Sequence, residues 1–329
     1  MKRYIGCDLG GTNLRAAIVD VESGSVLQHS TIPTLAREGH IAVMQRMADL
    51  FMRLIQNAGL NKNDIRGIGI GVPGTLDLES GETLLLPNLP GTWPRVPLRK
   101  TITDLTGLPA AILNDVRAIT LGEWRFGAGQ GVDTLAVYAI GTGVGGGLVI
   151  NKQLHLGFGG TAAELGHMVI DFNGPRCGCG NYGCLETYAS GPAIAATGMK
   201  AVAQGFATRI AELCDYDLNR ITPKLIAQAA EVGDEIAREI YAQAGYYLGV
   251  AASSICVALG PQRIILAGGV SQAGDLLLEP MRRTLRERVH VMPVEQVEVV
   301  LARLGNSAGV IGAALWAESR QAEKDAVTG

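Results

Sequence analysis

Aromatic residues are scarce in this chain: five Phe, three Trp and eight Tyr among 329 residues. Such a surface offers neither a stacking platform for bases nor an aromatic cage for a cation. Charge of one sign is missing too. Twenty-eight Lys and Arg face 31 Asp and Glu, a formal net charge of −3. That leaves no field to hold nucleic acid or an anionic membrane, and neither is expected as a partner. The basic start Met1-Lys2-Arg3-Tyr4-Ile5 opens like a signal peptide, but Asp8 interrupts the apolar run and no hydrophobic core follows. None of the lysines follows a glycine, which excludes a Walker-type phosphate loop. Six Cys without an export signal argue against a disulfide framework and for metal ligands or core residues. The cytoplasm is the expected compartment.

Glycine, by contrast, is abundant at 44 residues, and 47% of the chain is hydrophobic. That composition supports real cores, many tight turns and close approach of backbone to a ligand. At roughly 100–200 residues per domain, the length suggests two lobes. Two long stretches carry no charge, residues 134–151 and 240–262. The first alternates like strands. The second is long enough to span a membrane and holds a GxxxG pattern at Gly245 and Gly249, yet Gln243, Ser253 and Ser254 dilute it. A buried core helix is the expected reading.

Strands are expected at Tyr4–Leu9, Leu14–Val19, Val26–Ile32 and Ile65–Val72. Apolar spacing predicts a helix over 40–57. Residues 81–110 read as loop plus a short helix, Ala110–Leu113 as a strand, and 116–126 as a helix. A second strand set, Thr134–Ile140 and Gly145–Asn151, precedes helices near 187–213, 222–231 and 234–258. A strand at Ile264–Ala267, a helix over 273–288, a strand at Gln296–Leu301 and a helix over 306–320 complete the chain. Strands cluster and helices follow, twice over, each time beginning strand, glycine turn, strand. An internal duplication with a cleft between the halves is inferred.

GxGxxG spellings occur at Gly69-Gly71-Gly74 and Gly141-Gly143-Gly146. Neither opens a helix, as a dinucleotide site requires, so that use is disfavoured. A hairpin turn whose backbone N–H groups cradle phosphate is the alternative. Asp8-Leu9-Gly10-Gly11-Thr12 suits it, with Asp8 placed to hold Mg²⁺ through water. Thr142 and Gly143 offer a second such turn, and Gly268-Gly269, between a strand and a helix, a place for adenosine. Alone, either hairpin is an ordinary tight turn; the matched pair is what points to nucleotide.

His167, Cys177, Cys179 and Cys184 crowd four donors into 18 residues, the set of a closed, structural Zn²⁺ site. Cys7, Cys214 and Cys256 sit in apolar stretches and read as core. Glu164 and Glu186 flank the quartet, so a bound metal would fix two carboxylates near one another, and carboxylates accept hydrogen bonds from sugar hydroxyls. Asn114-Asp115 ends a strand and opens a helix. By itself this pair reads as a helix cap. Beside phosphate turns and sugar ligands, Asp115 reads as the general base for a hydroxyl nucleophile.

Together, Asp8-Leu-Gly-Gly-Thr12, Gly71-Val-Pro-Gly74, Asn114-Asp115, Gly141-Thr-Gly143, Glu164-Leu-Gly-His167 and the block Cys177 to Glu186 resemble the ROK family along essentially the whole chain. The resemblance implies an α/β, actin-like ATPase (ribonuclease H-like) fold with a duplicated βββαβα core. One lobe would comprise residues 1–114 and 306–329, the other residues 115–305. It implies a hexose kinase using ATP and Mg²⁺, with structural Zn²⁺, working as a homodimer or homotetramer. Asp115 would deprotonate the sugar; Asn88, Asn114, Glu164, His167 and Glu186 would hold it. His167 would use one nitrogen for zinc and the other for a hydroxyl. Asp8, Gly10, Gly11, Thr12, Thr142, Gly143, Gly268 and Gly269 would hold the nucleotide.

Two departures blur the substrate. Arg117 stands where the family usually has Asn, and Ala162-Ala163-Glu164 replaces the usual Ala-Gly-Glu. Glucose phosphorylated at its 6-hydroxyl, with lobe closure excluding water, is the leading expectation. N-acylmannosamine, another hexose, or polyphosphate as donor stay open. A sugar-responsive repressor would carry a helix-turn-helix ahead of the phosphate loop, for which the residues before Asp8 leave no room; a sugar-binding protein without turnover is disfavoured by Asp115.

Overall fold

The computed structural model describes residues 1–86, 89 and 93–328. The first strands are β1 (Arg3–Leu9), β2 (Asn13–Asp20) and β3 (Ser25–Pro33). Helix α1 (His40–Asn57) follows, burying Val43, Met47, Phe51 and Leu54 along one stripe. Next come β4 (Ile68–Val72), a small hairpin of β5 (Thr75–Asp77) and β6 (Glu82–Leu85), α2 (Leu98–Thr106), β7 (Ala110–Asn114) and α3 (Asp115–Phe126). A second series runs β8 (Leu135–Ile140), β9 (Val144–Ile150), β10 (Gln153–Leu154), α4 (Glu186–Ala189), α5 (Gly191–Ala203), α6 (Arg209–Leu213), α7 (Pro223–Glu231) and α8 (Glu235–Leu259). It closes with β11 (Arg263–Ala267), α9 (Asp275–Arg288), β12 (Glu298–Leu301) and α10 (Ala308–Thr328).

The contacts divide these elements into two units. Residues 1–130, 154–162 and 303–329 form the first, residues 131–153 and 163–302 the second. In the first unit the sheet order is β3-β2-β1-β4-β7, in the second β10-β9-β8-β11-β12. Each sheet begins with an antiparallel hairpin, and each continues from the hairpin's first strand through two parallel neighbours. The duplicated core expected from the order of elements is therefore present.

In the first unit α10 lies directly on the sheet. A Cβ on Gly6 or Gly69 would overlap the Val310 or Ala313 carbonyl, so only glycine lets helix and strands meet this closely. The same closeness moves a boundary. Residues 115–130 were expected with the 115–305 lobe, but α3 packs along α10, Gly122 against the Ala308 carbonyl and Gly312 against that of Ala118. The segment 154–162 and residues 303–305 join this unit as well.

In the second unit α8 is the stretch long and apolar enough to cross a membrane. Its Gly245 and Gly249 press on α9 at Leu277, Pro280, Met281 and Thr284. The GxxxG pattern is thus a helix-packing device inside this unit. Elsewhere, the expected strand Ile65–Val72 begins at Ile68, because residues 62–64 form a single 3-10 turn capped by Asn61. Residues 81–110 hold β6 besides α2. The helical region 187–213 breaks where Ser190 caps α5 and Pro192 enters its first turn. The strand expected at Gln296 starts at Glu298, after another 3-10 turn.

Candidate functional site

In the first unit the C-terminal ends of three parallel strands lie side by side, where open α/β sheets carry their ligands. Asp8 pairs with Gly71 in the ladder, and Val72 with Asn114. The turn beyond Asp8 is closed by Gly10 N–H donating to Asn13 O at 2.9 Å. Thr34 holds it from the side: its hydroxyl donates to Gly10 O at 2.7 Å and its N–H to Thr12 O at 2.8 Å. The Thr12 side chain stays exposed. Arg15 Nη1 donates to Asp8 Oδ2 at 3.2 Å, an ion pair across the hairpin. Burial pushes the Asp8 carboxyl above its ordinary range, and the Arg15 guanidinium offsets part of that rise. Mg²⁺ takes oxygen donors and gives up water reluctantly. A carboxylate already shared with a guanidinium fits that ion through water.

Asn114 and Asp115 divide the work at the start of α3. Asn114 is the cap: its Oδ1 accepts from Val116 N–H at 3.0 Å and Arg117 N–H at 3.2 Å. Its Nδ2 donates to Gly74 O at 3.1 Å. The side chain expected to hold sugar thus spends its oxygen and one N–H on the backbone. Asp115 occupies the first helical position, half-buried, with Oδ1 accepting from Val116 N–H at 2.9 Å. Asn114 and Asp115 share the Val116 N–H, and Asn114 also reaches the Arg117 N–H.

In the second unit the turn 141–143 between β8 and β9 is closed by Gly141 N–H to Gly143 O at 2.9 Å. Gly191, first residue of α5, donates to Gly141 O at 2.8 Å. Gly268, at φ +89°, lies so near the Ile140 backbone that no side chain fits, while Gly269 faces open space. Gly268 therefore lies beside the end of β8, from which the turn carrying Thr142 and Gly143 leaves.

Glu186 ties this turn to the cysteine segment. Its Oε2 accepts from Val144 N–H at 2.9 Å, and its Oε1 lies 3.9 Å from Cys177 Sγ. His167 Nδ1 is 3.7 Å from Cys177 Sγ, and Cys179 Sγ is 3.7 Å from Cys184 Sγ. All four donor atoms fall within 4.8 Å of one another. Tetrahedral zinc with Zn–S bonds of about 2.3 Å separates its sulfurs by about 3.8 Å, so the quartet fits that ion. Burial pushes the Cys184 thiol up to about 12 and raises Cys177, whereas backbone donation from Asn181 lowers Cys179.

Glu164 is exposed and precedes the 3-10 turn Leu165–His167. The residue before it, Ala163, has φ +68°, a left-handed conformation that L residues avoid. Ala163→Gly should stabilise the protein by about 0.5–1 kcal/mol: a cost of roughly 1–2 kcal/mol is relieved, less the extra unfolded-state freedom of glycine. Urea unfolding checks this, and an unchanged or lower midpoint would contradict it.

Asn88 lies outside the described residues. Two supporting positions escaped the sequence reading. Thr34 and Arg15 support the first turn; strand alternation and an Asp-Arg pair across a hairpin could have marked Arg15. Arg117 is buried, and its Nε donates to Ala162 O at 3.2 Å, with Nη2 on the same oxygen. Nothing local to the sequence signals that contact.

Comparison with known proteins covers nearly the whole chain. The family model described as ROK family matches residues 4–320. A glucokinase from Halalkalibacterium halodurans is 35% identical over 311 residues, covering 94% of this chain and 93% of that protein. A xylose repressor from Caldicellulosiruptor bescii is 32% identical over 94% of this chain, which spans 76% of the repressor. Among solved structures, a ROK family glucokinase from Streptomyces griseus in complex with glucose and AMPPNP superposes with TM-score 0.83 at 32% identity, covering 96% of this chain and 99% of that one.

Proposed function

The chain belongs to the ROK family, and from that premise we propose that it is an ATP-dependent glucokinase acting on the 6-hydroxyl of glucose. The observation that carries the reading is Asp115: a half-buried carboxylate at the first position of α3, at the ends of the parallel strands that also bear Asp8. The sugar oxygen attacks the γ-phosphorus in line. The bond to the β–γ bridging oxygen breaks, ADP leaves, and the hydroxyl proton passes to Asp115.

The turns Gly10–Thr12 and Thr142–Gly143 supply backbone and hydroxyl donors to the phosphates, and Gly268-Gly269 accommodate adenosine. Asp8 would hold Mg²⁺ through water, and the ion would supply neutralisation of phosphate charge. Glu164, His167 and Glu186 grip the sugar hydroxyls, with Asn88 assigned beside them by its motif. Asn114 acts by fixing the helix start that presents Asp115. His167 Nδ1 and the three thiolates would hold zinc, which would stiffen the segment carrying Glu164 and Glu186 and leave His167 Nε2 for a hydroxyl. We place the reaction in the cytoplasm, in a homodimer or homotetramer.

The test is the product. ³¹P NMR of a reaction with glucose, ATP and Mg²⁺ should show glucose 6-phosphate; phosphate at another hydroxyl, or ADP without a sugar phosphate, would contradict the assignment. Arg117 and Ala163 keep N-acylmannosamine and other hexoses in view as substrates. The repressor likeness favours one second reading, sugar-responsive regulation without turnover. Asp115 has no task in it.

A further inference from the structure

One buried carboxylate plays no part in the chemistry above. Glu123, on α3, is fully buried. Its Oε2 accepts from Ala128 N–H at 2.8 Å and Arg303 N–H at 3.0 Å. Its Oε1 accepts from Leu304 N–H at 2.8 Å and again from Arg303 N–H at 3.1 Å. Gly127 makes room for it, since a Cβ there would overlap Oε2. Both oxygens are thus spent on backbone donors from two segments: the chain leaving α3, and residues 303–304 leading into α10. A carboxylate is the side chain for such a place, because it accepts at both oxygens and donates at neither when ionised.

What those residues lead into matters. The first turn of α10 lies against Asp8: a Cβ on Gly309 would sit 3.6 Å from the Asp8 Cγ, and 3.7 Å from Ile119 of α3. Helix α3 therefore presents Asp115 at one end and, through Glu123 further along, fixes the start of the helix that backs Asp8. We propose that Glu123 is a positioning residue for Asp8, and through it for the Mg²⁺–nucleotide site. This rests on the reading of Asp8 as the carboxylate that serves Mg²⁺. Glu123 touches neither substrate; it acts by holding residues 303–304, and so the first turn of α10, at one height over the sheet.

Glu123→Gln is the sharp variant, since it keeps the shape and turns one acceptor into an N–H₂ aimed at backbone N–H groups. Calorimetric titration with AMPPNP and Mg²⁺, and separately with glucose, reads the two ligands without turnover. The affinity for Mg²⁺–AMPPNP should fall about 10–100-fold, the usual effect of removing an outer support of a metal site, with glucose affinity unchanged. Hydrogen exchange should quicken at the amides of Arg303 and Leu304. Glu123→Asp, which keeps the charge but retracts it by one methylene, should give a smaller loss of the same selective kind and carries the test if the Gln variant does not fold. Equal losses for both ligands, or faster exchange at 303–304 with nucleotide affinity intact, would overturn the proposal. Asp8→Asn separates the two ideas. If that variant keeps normal Mg²⁺–AMPPNP affinity, the reading of Asp8 is wrong and the role of Glu123 falls with it. If Asp8→Asn weakens binding and Glu123→Gln does not, only the role of Glu123 is wrong.

Discussion

Asp115→Asn lowers kcat by about two to four orders of magnitude, the usual worth of a general base, and leaves glucose affinity near that of the parent protein. The reason lies at the start of α3. The substitution is isosteric, and Asn114 keeps its cap bonds to the Val116 and Arg117 N–H groups, so the helix start stays in place. An amide oxygen can replace the Oδ1 acceptor of Val116 N–H. What the amide cannot do is take a proton from the sugar hydroxyl. Steady-state kinetics with calorimetric glucose binding separates the two effects. Turnover retained in the Asn variant would remove Asp115 from the mechanism, and a matching loss of binding would make it a sugar ligand only.

Loss of the metal comes next in size. Cys179→Ser, or exhaustive chelation, should abolish stoichiometric zinc, lower the melting temperature and raise the KM for glucose about tenfold or more. Three residues connect those effects. His167 is both ligand and proposed sugar contact, Cys177 approaches Glu186 Oε1, and Glu186 Oε2 holds the Val144 N–H beside the Gly143 turn. The metal also sets a pH dependence. Because burial raises Cys177 and Cys184 in the protonated quartet, zinc must displace protons to bind. Apparent zinc affinity should therefore rise with pH and fall as the medium becomes acidic. A zinc-free protein with parental KM, or an affinity flat in pH, would show that the quartet has no such role.

How far the sequence foretold all this depends on whether the signal was local. The paired hairpins were legible, since alternation and glycine turns are written within a few residues of Asp8 and of Thr142. So was the quartet, whose four donors lie within 18 positions. The boundary after Gln130 was not, because it is set by α3 meeting α10, nearly two hundred positions later. For the same reason the contacts of Glu123 and Arg117 were not legible: their partners, residues 303–304 and Ala162, are distant in sequence. Asn114 carried an ambiguous signal. A cap and a sugar ligand use the same residue type, and the bonds to Val116, Arg117 and Gly74, which show the cap, take the side-chain oxygen and one N–H.

The most direct measurement is a coupled ADP-release assay of the purified protein over a panel of hexoses and N-acetylhexosamines, with ATP and Mg²⁺. Glucose should give the highest kcat/KM of the panel. Saturable binding of glucose with no ADP released from any sugar would contradict a kinase and leave a sugar-responsive binding protein in its place.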